Sequence, residues 1–248
     1  MSYNEFAGVY DILMKDAEYK KRTSYLSKLF KKHGKMPKLL LDLACGTGGF
    51  SIAFAKKGIE VIGVDMSEEM LSVAREKTAQ EDIDVLYLCQ KAEELDLYGT
   101  VDGAICCLDS LNHITDLRKL NSAIKKVSLF LEKDSLFIFD LNTEYKHKNI
   151  LGDNTFVIED EEVYCVWQNE FNEKNLTTEI TLDFFIENGE NYIRSSEQFY
   201  ERAYTKEQIE KILSNCGLSL EAVYDDLSMS EPNDESQRVI YVTKKTAV

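Results

Sequence analysis

Residues 39–49 read LLLDLACGTGG, and residues 60–65 read EVIGVD. The first stretch is a continuously apolar strand that runs into Gly46-x-Gly48-Gly49, with a helix opening at once from Phe50. An apolar run without polar alternation belongs in a parallel sheet covered on both faces. Glycines at its end let the backbone turn sharply and approach a ligand, and the helix start offers unpaired N–H groups. The second stretch is another buried strand, ending on Asp65, nineteen residues past Gly46. An acid at that place can accept both hydroxyls of a ribose.

Two ligands fit this much, a dinucleotide and an adenosyl group. The loop is not G-x-G-x-x-G, because Ser51 stands where the third glycine would be. Asp42, inside the strand end, would repel a pyrophosphate and suits an ammonium or sulfonium charge. The charge argument favours S-adenosylmethionine.

Outward from this centre, strand and helix alternate. Residues 5–33 carry apolar side chains at helical spacing (Phe6, Val9, Tyr10, Leu13, Met14, then Tyr25, Leu26, Leu29, Phe30) and predict helix. Strands are predicted at 38–43, 60–65, 85–89, 101–108 and 136–141. Helices are predicted at about 50–57, from the Ser67 N-cap to about 79, and from Thr115 or Asp116 to about 131. Residues 155–204 then read as short alternating runs separated by polar turns. Ile180, Leu182, Phe184 and Ile186 keep a period of two, the mark of an antiparallel meander with one buried face. Thr205 caps one more helix, closed by Gly217, and strands at 218–225 and 238–244 end the chain.

The bulk properties narrow the partners. There are 44 carboxylates against 29 lysines and arginines, a net charge of −15, which disfavours a nucleic-acid partner. Six cysteines show no Cys-x-x-Cys pair and three histidines are widely spread, so neither a disulfide framework nor a metal site is expected. No signal peptide or membrane span is read, and a cytoplasmic protein is expected. No heptad seam is present, and monomer and dimer both stay open.

DLACGTG followed by GVDMSEEMLSVAR resembles the cofactor signature of class I S-adenosylmethionine-dependent methyltransferases. YNEFAGVYDILM, CCLDSLNHI, LFIFDLNT and ERAYTKEQIEKIL are similar to the small-molecule branch of that superfamily, which holds bacterial methyltransferases of unassigned substrate and sugar N-methyltransferases. The resemblance implies an α/β, Rossmann-like seven-stranded sheet of order 3-2-1-4-5-7-6, last strand antiparallel, with helices on both faces. It places residues 1–143 and 205–248 in the cofactor-binding domain, with 144–204 as an inserted antiparallel lid. It implies that Ala44, Cys45, Gly46 and Gly48 pass the methionine end, that Asp42 holds its amino group, and that Asp65 takes the ribose. Met66 would pack on adenine, with Lys91, Ala92 and Glu93 along its other face. Leu108, Asp109 and Tyr10 would close over the methionine and sulfonium. Lys91 stands where relatives carry an aspartate and cannot accept from the adenine amino group, which leaves that contact to Ala92 or Glu93.

Methyl transfer is an in-line displacement, and an amine acceptor must lose a proton. His113, just past the fourth strand, lies where parallel sheets place ligands and is the candidate base. Asn112, Asn142 and Tyr145 follow strand ends on the same edge; Trp167, Asn169, Arg202 and Tyr204 are the meander residues expected to face the substrate, a small molecule. His33 and His147 have no such context. A protein that binds the cofactor or a partner without catalysis is the alternative.

Overall fold

The computed structural model describes residues 10–12 and 17–246. Its main sheet is built from β1 (Leu39–Leu43), β2 (Glu60–Asp65), β3 (Leu86–Cys89), β4 (Val101–Cys106), β5 (Leu131–Asn142), β10 (Leu218–Asp225) and β11 (Arg238–Lys245). The spatial order is β10-β11-β5-β4-β1-β2-β3, with β11 antiparallel to β5. Counting β10 and β11 as sixth and seventh gives the expected 3-2-1-4-5-7-6. The order reverses between β1 and β4, and a crevice opens at their carboxyl ends.

Successive residues of a strand point to opposite faces, and both faces here are covered. Leu41, Leu43, Phe137, Phe139 and Tyr241 pack under α4 (Leu117–Phe130) and α5 (Lys206–Asn215). Leu40, Ile105, Ile138, Ile240 and Val242 pack under α1 (Tyr19–His33) and α2 (Gly49–Ala55). In α4 the inward stripe is Leu120, Ala123, Ile124 and Val127, and each large apolar side chain stabilises by about 1.5–3 kcal/mol on burial. The caps read from sequence are present: Ser67 accepts from the Met70 N–H at the start of α3 (Glu68–Gln80), Asp116 caps α4, and Thr205 forms a reciprocal box with Gln208.

Between β5 and α5 lies a second sheet of four antiparallel strands, β6 (Thr155–Glu159), β7 (Val163–Asn172), β8 (Thr177–Asn188) and β9 (Asn191–Arg202). Val163, Cys165, Ile180, Leu182 and Phe184 form its buried face, with Ile12 against them.

Several boundaries differ from expectation. Of the helix read at 5–33, residues 5–9 and 13–16 lie outside the described residues. Tyr10–Ile12 is helical, but Glu18 has φ 49°, so one continuous helix is broken before α1. The fourth strand stops at Cys106 rather than 108, because Leu108 and Asp109 both turn left-handed (φ 58° and 55°). The fifth begins at Leu131, five residues early, where pairing to Val101 outweighs helical patterning. Lys146–Leu151 winds as a wide helical turn that periodicity did not signal. Among the described residues no helix is long and apolar enough to cross a membrane.

Candidate active site

Past β1 the chain makes a left-handed loop: Ala44, Gly46 and Gly48 have φ of 56°, 53° and 78°. The two glycines serve different ends. A Cβ on Gly48 would lie 2.5 Å from the Tyr87 hydroxyl, so this glycine admits the packing of β3. A Cβ on Gly46 would meet nothing nearer than the Tyr10 ring at 4.0 Å, so its backbone faces open space. The Gly46 N–H donates to one Asp65 oxygen (2.8 Å) and the Ser67 N–H to the other (2.9 Å). Each oxygen keeps a lone pair for a ligand hydroxyl. Burial nonetheless holds the Asp65 carboxyl above its ordinary pKa. Asp42 is fully enclosed behind the loop and accepts from Ser51 Oγ at 2.6 Å; burial pushes its pKa up to about 7.

Tyr10–Ile12 crosses over this loop. Asp11 accepts from Thr47 Oγ1 (2.6 Å) and pairs with Lys77 (2.6 Å). Tyr10 is half-buried, and its phenol, raised first by desolvation, also feels the charges of Asp109 and Asp65. It therefore stands between the β1–β2 loops and the loop after β4.

That second loop is held from below. The Leu108 and Asp109 N–H groups both donate to Asp140 (2.8 and 2.6 Å). Arg238 bonds Asp140 (2.9 Å) and reaches Asp109 (3.3 Å). Burial alone would raise Asp109, but Arg238 and Lys146 outweigh it and hold the carboxyl at about 2. Asn142 donates to Asp109 and to Glu201 (3.4 Å), and Lys146 Nζ donates to Asn142 Oδ1 (3.1 Å). His113 is half exposed, with Nε2 3.7 Å from Glu201. Its charge also acts on Asp65 and Asp109, so His113 belongs to the same crevice.

A family model described as a methyltransferase domain matches residues 40–134. The chain is 35% identical over 247 residues to the putative methyltransferase YqeM of Bacillus subtilis, covering 99% of this chain and 98% of that one. Its structure is similar to that of an S-adenosylmethionine-dependent methyltransferase from Clostridium acetobutylicum, with a TM-score of 0.90, 34% identity and both chains covered in full. The chain belongs to this methyltransferase family. Its fold also matches that of CalS10 from Micromonospora echinaspora, an amino pentose methyltransferase solved with S-adenosylmethionine bound, at a TM-score of 0.78 and 17% identity over 96% of this chain and 97% of that one.

S-adenosylmethionine is thus the cofactor of this methyltransferase, and the loop fits it: open space at Gly46, free lone pairs on Asp65, and Met66 standing 65% exposed beside them. Cys45 is buried in the loop, and Ala44 packs partly into the core. Ala92 and Glu93 begin a short turn after β3, with Lys91 just before it. Lys91 is exposed near Glu94, and the Glu93 carboxylate is turned toward Lys119 (3.4 Å), which leaves the backbone here as the freer acceptor.

On the acceptor side the site differs from the sequence reading. Asn112 is fully buried; it donates to the Asn142 and Arg202 carbonyls and accepts from the Asn142 N–H (2.8–3.1 Å), so its side-chain amide is taken up in tying β5 to β9. Asn142 is engaged by Asp109, Glu201 and Lys146. Among the described residues Arg202 bonds no acid; it donates to the Thr115 carbonyl (3.0 Å) and lies over the Tyr204 ring. The Tyr204 hydroxyl donates to the Ile114 carbonyl. Trp167 Nε1 donates to Asn169 Oδ1 (2.7 Å), and Asn169 in turn holds the Asn154 carbonyl, so both brace the second sheet. Tyr145 is half-buried beside Lys146.

Asp140, Arg238 and Lys146 carry no local sequence signal of a site, and His147, which the sequence leaves without a functional context, lies among them beside Glu201. One signal was available for Glu201: on β9 it shares a face with Phe199 and Glu197, an acid on the apolar side of an alternating strand.

Proposed function

We propose that this enzyme transfers a methyl group from S-adenosylmethionine to the amine of a small molecule, in a pocket between the ends of β4 and β5 and the β6–β9 sheet. The observation that carries this is the place of His113. It is half exposed, with Glu201 3.7 Å away, and its charge is felt by Asp65 of the cofactor loop and by Asp109 on the acceptor side. An acidic crevice in an acidic protein attracts a cation, and an ammonium must give up a proton before it can attack.

The bound cofactor supplies an electrophilic methyl on a sulfonium. This chain's residues do the rest. Asp65 fixes the adenosyl end, the Gly46 backbone passes the methionine, and Tyr10 and the Leu108–Asp109 turn exclude water from above. His113 accepts the ammonium proton, and alignment provides the larger share of the rate. In this reading residues 1–143 and 205–248 hold the cofactor, 144–204 roof the acceptor, and the protein works in the cytoplasm on metabolites rather than nucleic acid. The likeness of fold to an amino pentose methyltransferase supports the choice of an amine.

Calorimetry with S-adenosylmethionine and its demethylated product should show binding, and a labelled-methyl screen should find acceptors among amines. No binding at millimolar cofactor, or acceptors confined to carboxylates, overturns the reading.

A further inference from the structure

His113 explains one proton acceptor, but behind it lie a buried carboxylate and a second imidazole. Glu201 is only 6% exposed, and its two oxygens face two rings: Oε1 is 3.7 Å from His113 Nε2, and Oε2 is 3.8 Å from His147 Nε2. Asn142 also donates to Oε2, and Asp109 and Lys146 are the other charges acting on the group. His147 is wholly buried in the wide turn after β5, with Nδ1 2.8 Å from Thr178 Oγ1 on β8. A lone pair on Nε2 would oppose the carboxylate. The Thr178 hydroxyl therefore donates to Nδ1, and the His147 proton sits on Nε2, facing Glu201.

We propose that Glu201 is the positioning residue for proton removal, holding the His113 imidazole toward the acceptor and stabilising the imidazolium that forms, with Asn142 donating to its second oxygen and the buried His147 ring lining it from behind. The proposal rests on the methyl-transfer reading of the site. At 3.7 Å the His113 contact is too long for a hydrogen bond to a neutral ring, but it is an ion pair once the ring is charged. The interaction thus strengthens as the reaction proceeds, which is what lowers a barrier. In the step, an acceptor N–H bond breaks with its electron pair left on nitrogen, and the proton passes to the free nitrogen of His113. The nitrogen pair then bonds the methyl carbon as the carbon–sulfur pair goes to sulfur. An acceptor that needs this device carries an N–H or O–H; a carboxylate does not.

The chain has only three histidines, so their ring nitrogens can be followed by NMR across pH in the whole protein. In Glu201→Gln the His113 ring nitrogen resonances at neutral pH should shift, because the carboxylate charge 3.7 Å from Nε2 is gone. His33, which bonds Tyr224, should not move. Glu201→Asp, which keeps the charge and withdraws it by one methylene, should bring the His113 resonances back toward wild type and guards against a glutamine variant that fails to fold. In wild type, His147 should carry its proton on Nε2. Unmoved His113 resonances in the folded glutamine variant, or a His147 proton on Nδ1, overturns the proposal. Calorimetry on the same samples separates the two readings: absence of S-adenosylmethionine binding to wild type defeats the methyltransferase site, whereas the histidine resonances test Glu201 alone.

Discussion

Around Gly46 the groups that face the ligand are backbone; around His113 they are side chains. The cofactor loop is made by one contiguous stretch, and its distant polar partners include Asp65, the Val64 carbonyl, Asp11 and Lys77. The acceptor side gathers Asp109, Asp140, Asn142, Lys146, Glu201 and Arg238 from five separate stretches of chain. The first arrangement depends on glycine geometry, the second on a closed set of paired charges. They should therefore fail in different ways.

The largest effect is expected at Gly48. Alanine there adds a left-handed penalty to a 2.5 Å clash with the Tyr87 hydroxyl, together costing about 4 kcal/mol. Thermal unfolding should show it. Gly46→Ala is the contrast. With open space beside it, the variant should lose only about 1 kcal/mol of stability, yet lose at least roughly tenfold in cofactor affinity. Equal losses of stability at the two positions would erase the distinction between a packing glycine and a ligand-facing one.

Asp42 sharpens the electrostatic half of the comparison. Its unfolded carboxyl ionises near 3.9, whereas the folded one is pushed up to about 7 by burial. Between those values the unfolded chain binds fewer protons, so this group's contribution makes stability fall as the pH rises. Relative to Asp42→Asn, the wild type should lose roughly 3.7 kcal/mol between pH 4 and pH 8, read by chemical denaturation at each pH. Asp109, held at about 2 by Arg238 despite burial, should contribute only a small slope of the opposite sign, confined to the acid end of that window below about pH 5. A wild type and Asp42→Asn variant with parallel profiles would show that Asp42 is solvated.

The same division explains what was legible in the sequence. The sheet order and the cofactor loop could be read because Leu39–Leu43, the glycines and Asp65 announce themselves by local pattern. His113 was legible by its place after a strand end. Asn112, Trp167, Asn169 and Arg202 were assigned to substrate because polar residues beside a site look like contacts. The structure spends them on backbone carbonyls and on one another, since an inserted sheet must have its buried polar groups satisfied. Asp140 and Arg238 lie 98 residues apart, and nothing local in either strand says that they pair. Their register is a product of β11 docking against β5, where Arg238 faces Asn142. The left-handed pair Leu108–Asp109 was hidden for a similar reason: bonds to Asp140 impose those angles on residues that do not favour them.

Asn112 gives the next effect in size. Alanine leaves two carbonyls and one N–H without partners in a dry interior, about 2 kcal/mol in all. Denaturant unfolding should record that loss with cofactor affinity unchanged, because the tie spans β5 and β9 and leaves the glycine loop intact. A cofactor-affinity loss as large as the stability loss would mean that the two halves are mechanically coupled through β5.

The smallest effect is expected at Trp167, and it decides how much of the second sheet serves the acceptor. Trp167→Phe removes one hydrogen bond, Nε1 to Asn169 Oδ1, and keeps most of the apolar contact with Phe156, where the rings meet edge to face at 5.8 Å. The loss should be about 1 kcal/mol, since Asn169 keeps its bond to the Asn154 carbonyl and the ring is only partly buried. Once an acceptor is in hand, KM for it should stay within about threefold of wild type, because a residue that braces the roof does not touch what lies beneath it. If KM rises further while stability stays close to wild type, the indole face, not its N–H, meets the acceptor, and β7 belongs to the binding surface as well as to the roof.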